Sequence, residues 1–237
     1  MASSVFKIAT LKRPLKMSNP DYTLYSYFRS SCSARLRIAL NLKSIPYDTV
    51  PINLLKDEHL SSDHRALNPS ATVPLLVNRS DDDFKVTQSV AALEYLEEAH
   101  PDSNPLLPKD PKTRAAVRSL VNIICCDTQP VTNMRIMRRV RALGGNAEQW
   151  NCELMTDGLA AYEAVAKQWA GKCSVGDEMT MADACLLPAY WNAERFGVDL
   201  SKYPTIGKVV EHLKDHPAVV KAHYFNQPDT PAELRIK

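Results

Sequence analysis

The stretch "YSYFRSSCSARLRIALNLK", residues 25–43, decides the fold. With the preceding "DYTL" it begins as a strand, because residues 21–28 are rich in Tyr, Thr and Phe. Ala34, Ile38 and Leu42 then recur at i, i+4 and i+8, and Leu36, Ala39 and Leu40 widen the stripe. That spacing predicts a helix over 33–43, laid on a sheet. Ser30, Ser31 and Cys32 fall at the junction, where a buried core asks for none of them. Three readings stand open: a nucleophile, a ligand cradle, or a plain helix cap with a small buried cysteine. The cradle has a physical basis. A helix N-terminus offers free N–H groups and about half a unit of positive charge, and it lowers the pKa of a thiol held there.

Working outward, "IPYDTVPINL" favours a second strand, so the chain opens β-α-β. A polar stretch with a short helical turn follows. "TVPLLVN", 72–78, and "FKVTQ", 84–88, read as a hairpin about "RSDDD", and 89–100 as a helix. Four prolines in "PDSNPLLPKDP", 101–111, read as a linker. Beyond it the pattern predicts helices over 111–140, 147–170, 180–194 and 204–215. Thr180-x-x-Asp183 is a capping box before an apolar run, and losing either residue is expected to cost roughly 0.5–2 kcal/mol.

Two further features sit beside the first. In Val73–Pro74 the proline cannot donate to a sheet ladder. A cis bond there would turn the Val73 N–H and C=O outward, to pair with an extended peptide. Ser89, preceded by Gln88, reads as an N-cap whose helix start would receive a carboxylate. A thiol site, a backbone clamp and a carboxylate site together suit a small thiol peptide with an acidic end.

Several classes are excluded. A formal net charge of +2, with no dense basic cluster, gives no nucleic-acid footprint. No apolar run approaches the ~20 residues that span a bilayer, so no membrane partner is expected. No metal-ligand spacing is present, so no metal is expected. The six cysteines, Cys32, Cys125, Cys126, Cys152, Cys173 and Cys185, form no CxxC pair and read as reduced thiols, with Cys125–Cys126 as packing. Residues 1–20 carry four basic residues and no acid. They read as a flexible basic extension of a cytoplasmic protein, and the lack of acids leaves a mitochondrial presequence open.

The chain resembles the glutathione transferases of the zeta class. The resemblance is carried by "YSYFRSSCSARLRIAL", "VPINLLKD", "ALNPSATVPLL", "QSVAALEYLEEAHP", "VGDEMTMADACLLP", "NAERFGVDL" and the tail "QPDTPAELR". It implies the two-domain glutathione transferase fold, with a thioredoxin-like α/β domain over 21–103 and an all-α domain over 109–230. It implies glutathione as cofactor, a homodimer, and isomerisation of maleylacetoacetate to fumarylacetoacetate in phenylalanine and tyrosine degradation. Dehalogenation of small α-halo acids comes with the class. By position, Ser31 holds the glutathione sulfur, with Ser30 and Cys32 completing the motif. Val73 with Pro74 clamps the cysteinyl unit, and Gln88 and Ser89 meet the γ-glutamyl end. Gln129 and Asn133 approach glutathione from the helical half. Arg195 anchors a substrate carboxylate, with Arg29 or Arg35 beside it. His59 falls near a position that is usually Gln, in a shorter loop. Ala34 stands where an aromatic residue is common, Thr128 where an apolar one is usual, and Cys125 and Cys126 where small residues are. Two rivals remain: a thiol transferase centred on Cys32, and a non-catalytic module that borrows the fold.

Overall fold

The computed structural model describes residues 20–235; apart from Pro20, the basic extension lies outside them. Strand β1 (Tyr22–Ser26) leads into helix α1 (Ser31–Leu42), and β2 (Tyr47–Pro51) returns parallel to β1. The short helix α2 (Ser62–Leu67) fills the polar stretch. β3 (Leu75–Asn78) and β4 (Phe84–Thr87) form the expected hairpin, and α3 (Ser89–Ala99) closes this half. The sheet order is β2-β1-β3-β4, with β1 antiparallel to β3.

α1 is buried almost all round: apolar side chains fill most of its faces, and its buried Arg35 and Arg37 are met by hydrogen-bond partners. Leu36, Ile38, Ala39 and Leu40 are fully buried between the sheet and the helices behind it. Each such leucine or isoleucine removed from water contributes about 1.5–3 kcal/mol. The same core continues through Leu120, Leu159, Leu186 and Ile206, so both halves share it.

The second half is helical: α4 (Pro111–Asn122), α5 (Gln129–Thr132), α6 (Met134–Ala142), α7 (Ala147–Ala166), α8 (Met181–Arg195), α9 (Pro204–Leu213) and α10 (Pro217–Ala222). The continuous helix expected over 111–140 is broken. Residues Ile123–Thr128 form a π-helical segment, in which the Thr128 hydroxyl donates to the Ile123 carbonyl at 2.7 Å. α10 was not anticipated from the sequence. The proline-rich stretch is no loose tether. Leu106 and Leu107 are buried, and the Glu97 carboxylate accepts both their N–H groups while pairing with the buried Lys43 ammonium at 3.0 Å.

The capping box is present at Thr180–Asp183. Asp183 does more than cap. It is fully buried and accepts the N–H of Ser174 as well as that of Thr180, each at 2.8 Å.

Candidate active site

The turn between β1 and α1 is fixed before any ligand arrives. Ser30 is the N-cap of α1: its hydroxyl accepts the Ser33 N–H at 3.2 Å and its carbonyl the Ala34 N–H at 2.9 Å. That leaves the Ser31 hydroxyl and the first N–H groups of α1 at the surface of a cleft. Behind the turn, the wholly buried Arg37 guanidinium donates to the Ser26 hydroxyl, the Phe28 carbonyl and the Ala222 carbonyl. From the C-terminal tail, Asp229 accepts the Phe28 N–H at 2.8 Å.

Ser31 stands where two recesses meet. The inner one, open to solvent, is lined by Arg35, Ile124, Thr128, Gln129 and Asn192 among others. The outer one, ≈ 180 Å³, is lined by Phe28, Arg29, Ser30, Trp191, Asn192 and Tyr224. Arg195 lies at the outer rim, where its guanidinium donates to the Asn192 side-chain oxygen at 3.2 Å and covers the Phe196 ring. Burial, and then the charge of Arg29 nearby, lower the Arg195 pKa from its usual value. Neither Arg29 nor Arg195 pairs with a carboxylate among the described residues, and the buried Arg29 Nε has no hydrogen-bond partner. Of the two, Arg29 lines the outer recess with Ser30 and Ser31, and Arg195 is joined to that recess through Asn192.

The remaining expected residues fall into distinct groups. Val73 packs on Tyr27 and Phe28, and the Val73–Pro74 bond is cis. Val73 lies outside the β1–β3 ladder. The loop before it is held by His64 and Asn68, whose side chains both bond the Thr72 carbonyl at 2.9 Å. Ser89 is not the N-cap of α3. That position belongs to Gln88, at φ 71°, and Ser89 is the first helical residue, buried, with its hydroxyl accepting from Arg35 at 3.0 Å.

Arg35, expected beside Arg195, lies deeper, on the wall of the inner recess. It is 2% exposed, and its partner is Ser89. Asn133 caps α6, and its amide is engaged with the Ile136 N–H and the Pro130 carbonyl, while Gln129 faces the inner recess. His59 is buried, with Nδ1 unpartnered, and burial lowers its pKa. Cys32 is half-buried on the first turn of α1. Sequence reasoning missed Phe28, Trp191, Asn192 and Tyr224. Asn192 lies in "NAER", but nothing in the sequence marks Tyr224 as a wall of the cleft.

A cleft at the start of α1, carried on this mixed sheet and faced by helices, is the arrangement of the glutathione transferases. Family models describe the same division: the glutathione S-transferase N-terminal domain matches residues 29–99, and the C-terminal domain matches 152–217. The chain is 58% identical to the maleylacetoacetate isomerase of Emericella nidulans, over 90% of this chain and 96% of that one. Among solved structures, a bacterial zeta-class maleylpyruvate isomerase superposes with a TM-score of 0.84 at 39% identity, covering 88% of this chain and all of that one. The maleylacetoacetate isomerase of Anaeromyxobacter dehalogenans, with glutathione in its active site, gives 0.82 at 38%, over 90% and 99%. The chain belongs to the glutathione S-transferase family, within the zeta class of maleylacetoacetate isomerases. No helix of the described residues is long and apolar enough to cross a membrane, and no metal-ligand cluster occurs among them.

Proposed function

We propose that this chain converts a cis diketo diacid, maleylacetoacetate, to its trans isomer fumarylacetoacetate, with glutathione as a recycled cofactor. The observation that carries the reading is Arg29 in the recess that Ser31 lines, with Arg195 bonded to Asn192 of the same recess and neither arginine paired with a carboxylate among the described residues. A neutral acceptor would need no such couple; a substrate with carboxylates would. The residues fit glutathione. Ser31 offers a hydroxyl and the α1 N-terminus its field, Val73 offers backbone groups outside the ladder, and the α3 N-terminus offers Gln88 and Ser89 for a carboxylate.

Glutathione, when bound, supplies a thiolate that adds to the double bond, lets the new single bond rotate, and leaves again. Ser31 donates a hydrogen bond to that sulfur, and the helix end favours its negative charge. Arg29 and Arg195 hold substrate carboxylate, so that one end of the molecule stays in place while the other swings about the new single bond. Arg35 orients the Ser89 hydroxyl from behind. The same thiolate and anion site extend the proposal to dehalogenation of small α-halo acids. A homodimer, and the division at 21–103 and 109–230, belong to the same reading on family grounds.

The test is turnover of maleylacetoacetate with and without glutathione, for wild type, Ser31→Ala and Cys32→Ala. The reading expects glutathione-dependent turnover that collapses in Ser31→Ala and survives in Cys32→Ala. The opposite pattern would establish the Cys32 thiol transferase instead. Glutathione binding without any turnover would leave the interaction module.

A further inference from the structure

The proposed reaction leaves one cluster of reactive groups unused. Cys125, on the π-helical segment, and Cys185, on α8, bring their sulfurs within 3.7 Å of each other. Cys185 is fully buried, while Cys125 is half-buried. Beside them lies the Arg35 guanidinium. Its one side-chain partner is Ser89, and its Nε and Nη2 are buried without any. Burial alone would lower the Arg35 pKa, but the negative charge that Cys32, Cys185, Cys125 and Cys126 carry as thiolates more than offsets that. A buried cation with spare N–H donors favours a thiolate near it. Cys125 answers to it: the hydrogen bond with Cys185 and the Arg35 charge bring its pKa down to about 7, against the opposing effect of burial.

We propose that Cys125 and Cys185 form a peroxide-sensitive dithiol whose disulfide narrows the substrate cleft. The oxidant is hydrogen peroxide, small enough to reach a half-buried sulfur. The Cys125 thiolate attacks one peroxide oxygen and the O–O bond breaks. The departing hydroxide takes up a proton to leave as water, and Cys125 becomes a sulfenic acid. The Cys185 sulfur then attacks the Cys125 sulfur and the S–O bond breaks. Hydroxide leaves with the Cys185 proton as a second water. Two thiols lose two electrons, and one peroxide becomes two waters. Closing the bond needs an S–S separation of about 2.05 Å, so the two sulfurs must approach from their 3.7 Å contact. That movement draws the π-helical segment toward α8. Ile124 and Thr128, on that segment, line the inner recess from one side, and Ala189 and Asn192 of α8 from the other.

The test oxidises the reduced full-length protein with hydrogen peroxide and maps the thiols. The proposal expects the denatured protein to fall from its six thiols by two, with a Cys125–Cys185 cross-linked peptide that dithiothreitol abolishes. Cys125→Ser should form no cross-link, whereas Cys126→Ser, at an exposed position on the same segment, should behave as wild type. Wild type retaining all six thiols in excess peroxide, or oxidising at Cys32 or Cys126 with Cys125 and Cys185 intact, would overturn the site. Glutathione-dependent turnover should be lost on oxidation, return with dithiothreitol, and be peroxide-insensitive in Cys125→Ser. This arm alone rests on the proposed function. A cross-link that leaves turnover unchanged would overturn the narrowing of the cleft.

Discussion

Replacing Arg29 or Arg195 by Gln tests whether the paired cations exist for a ligand or for the fold. The two answers differ in outcome. A hydrogen bond to a charged group is worth about 1.5–3 kcal/mol. At 1.36 kcal/mol per factor of ten, losing one such contact to a carboxylate should raise KM for the diacid roughly 10- to 150-fold. The loss should fall on KM with kcat little changed, because the carboxylate is held equally before and during bond rotation. KM for glutathione should not move, since neither arginine faces Val73 or Ser89. Without substrate Arg195 has one hydrogen bond, to Asn192, and a ring contact with Phe196, while burial and then the Arg29 charge lower its pKa. Each single variant should therefore melt close to the wild-type temperature. Steady-state kinetics with each substrate varied in turn, and a thermal melt of the free protein, give all the readouts. The double variant adds one more. Non-additive losses mean that both arginines hold one carboxylate, and additive losses mean that each holds its own. A fall in melting temperature with both KM values raised, or an unchanged diacid KM, would refute the argument.

Three other perturbations have worked outcomes. Asp183→Ala leaves the buried N–H groups of Ser174 and Thr180 without an acceptor, at about 1–3 kcal/mol each. It should therefore cost more, by denaturant unfolding, than Thr180→Ala, which removes the cap and one longer hydroxyl bond to Asp183 but leaves both N–H groups their acceptor. Glu163 accepts the Thr205 and Ile206 N–H groups at the start of α9; burial opposes its charge, but these bonds prevail and hold its pKa below the usual 4.5. A depressed carboxylate pKa gives stability that is present above pH 4.5 and lost as pH falls through the folded value. Glu163→Gln should be less stable at neutral pH and lose less than wild type below pH 4.5 in urea titrations across that range. A Cβ on Gly158 would lie 2.0 Å from the Thr128 hydroxyl oxygen. Gly158→Ala should destabilise by about 1–3 kcal/mol, and Thr128→Ala in the same chain should recover only part of it, because the Thr128 Cβ still lies at 2.9 Å and the bond to Ile123 is lost.

What the sequence disclosed follows from where the physics is local. The strand-to-helix switch at Ser30–Cys32, the hairpin about residues 79–83 and the Thr180–Asp183 box are set by neighbours within a few residues, and the structure contains them. The break inside 111–140 was signalled by Pro130 and the polar run Asp127–Asn133, which the reading of one long helix passed over; the π-helical segment before it, where Thr128 bonds the Ile123 carbonyl, had no such signal. The cap of α3 was misassigned because serine is the usual cap and nothing announces a positive φ at a glutamine. Among the arginines, chain position separates none of Arg29, Arg35 and Arg37. Only the folded molecule gives Arg35 the Ser89 hydroxyl, seats Arg37 among carbonyls from both ends of the chain, and leaves Arg29 without a carboxylate. Tyr224 reaches the cleft by way of the tail, and no periodicity reports that.

The bond from the Phe28 N–H to Asp229 spans 201 residues of chain. At about 5–20 residues per second of synthesis, the loop that carries Ser31 leaves the ribosome roughly 10–40 s before the carboxylate that ties it down. Among the earliest segments made, it is among the last to be completed, and a nascent chain arrested before residue 229 would display a formed sheet around an unfinished cradle.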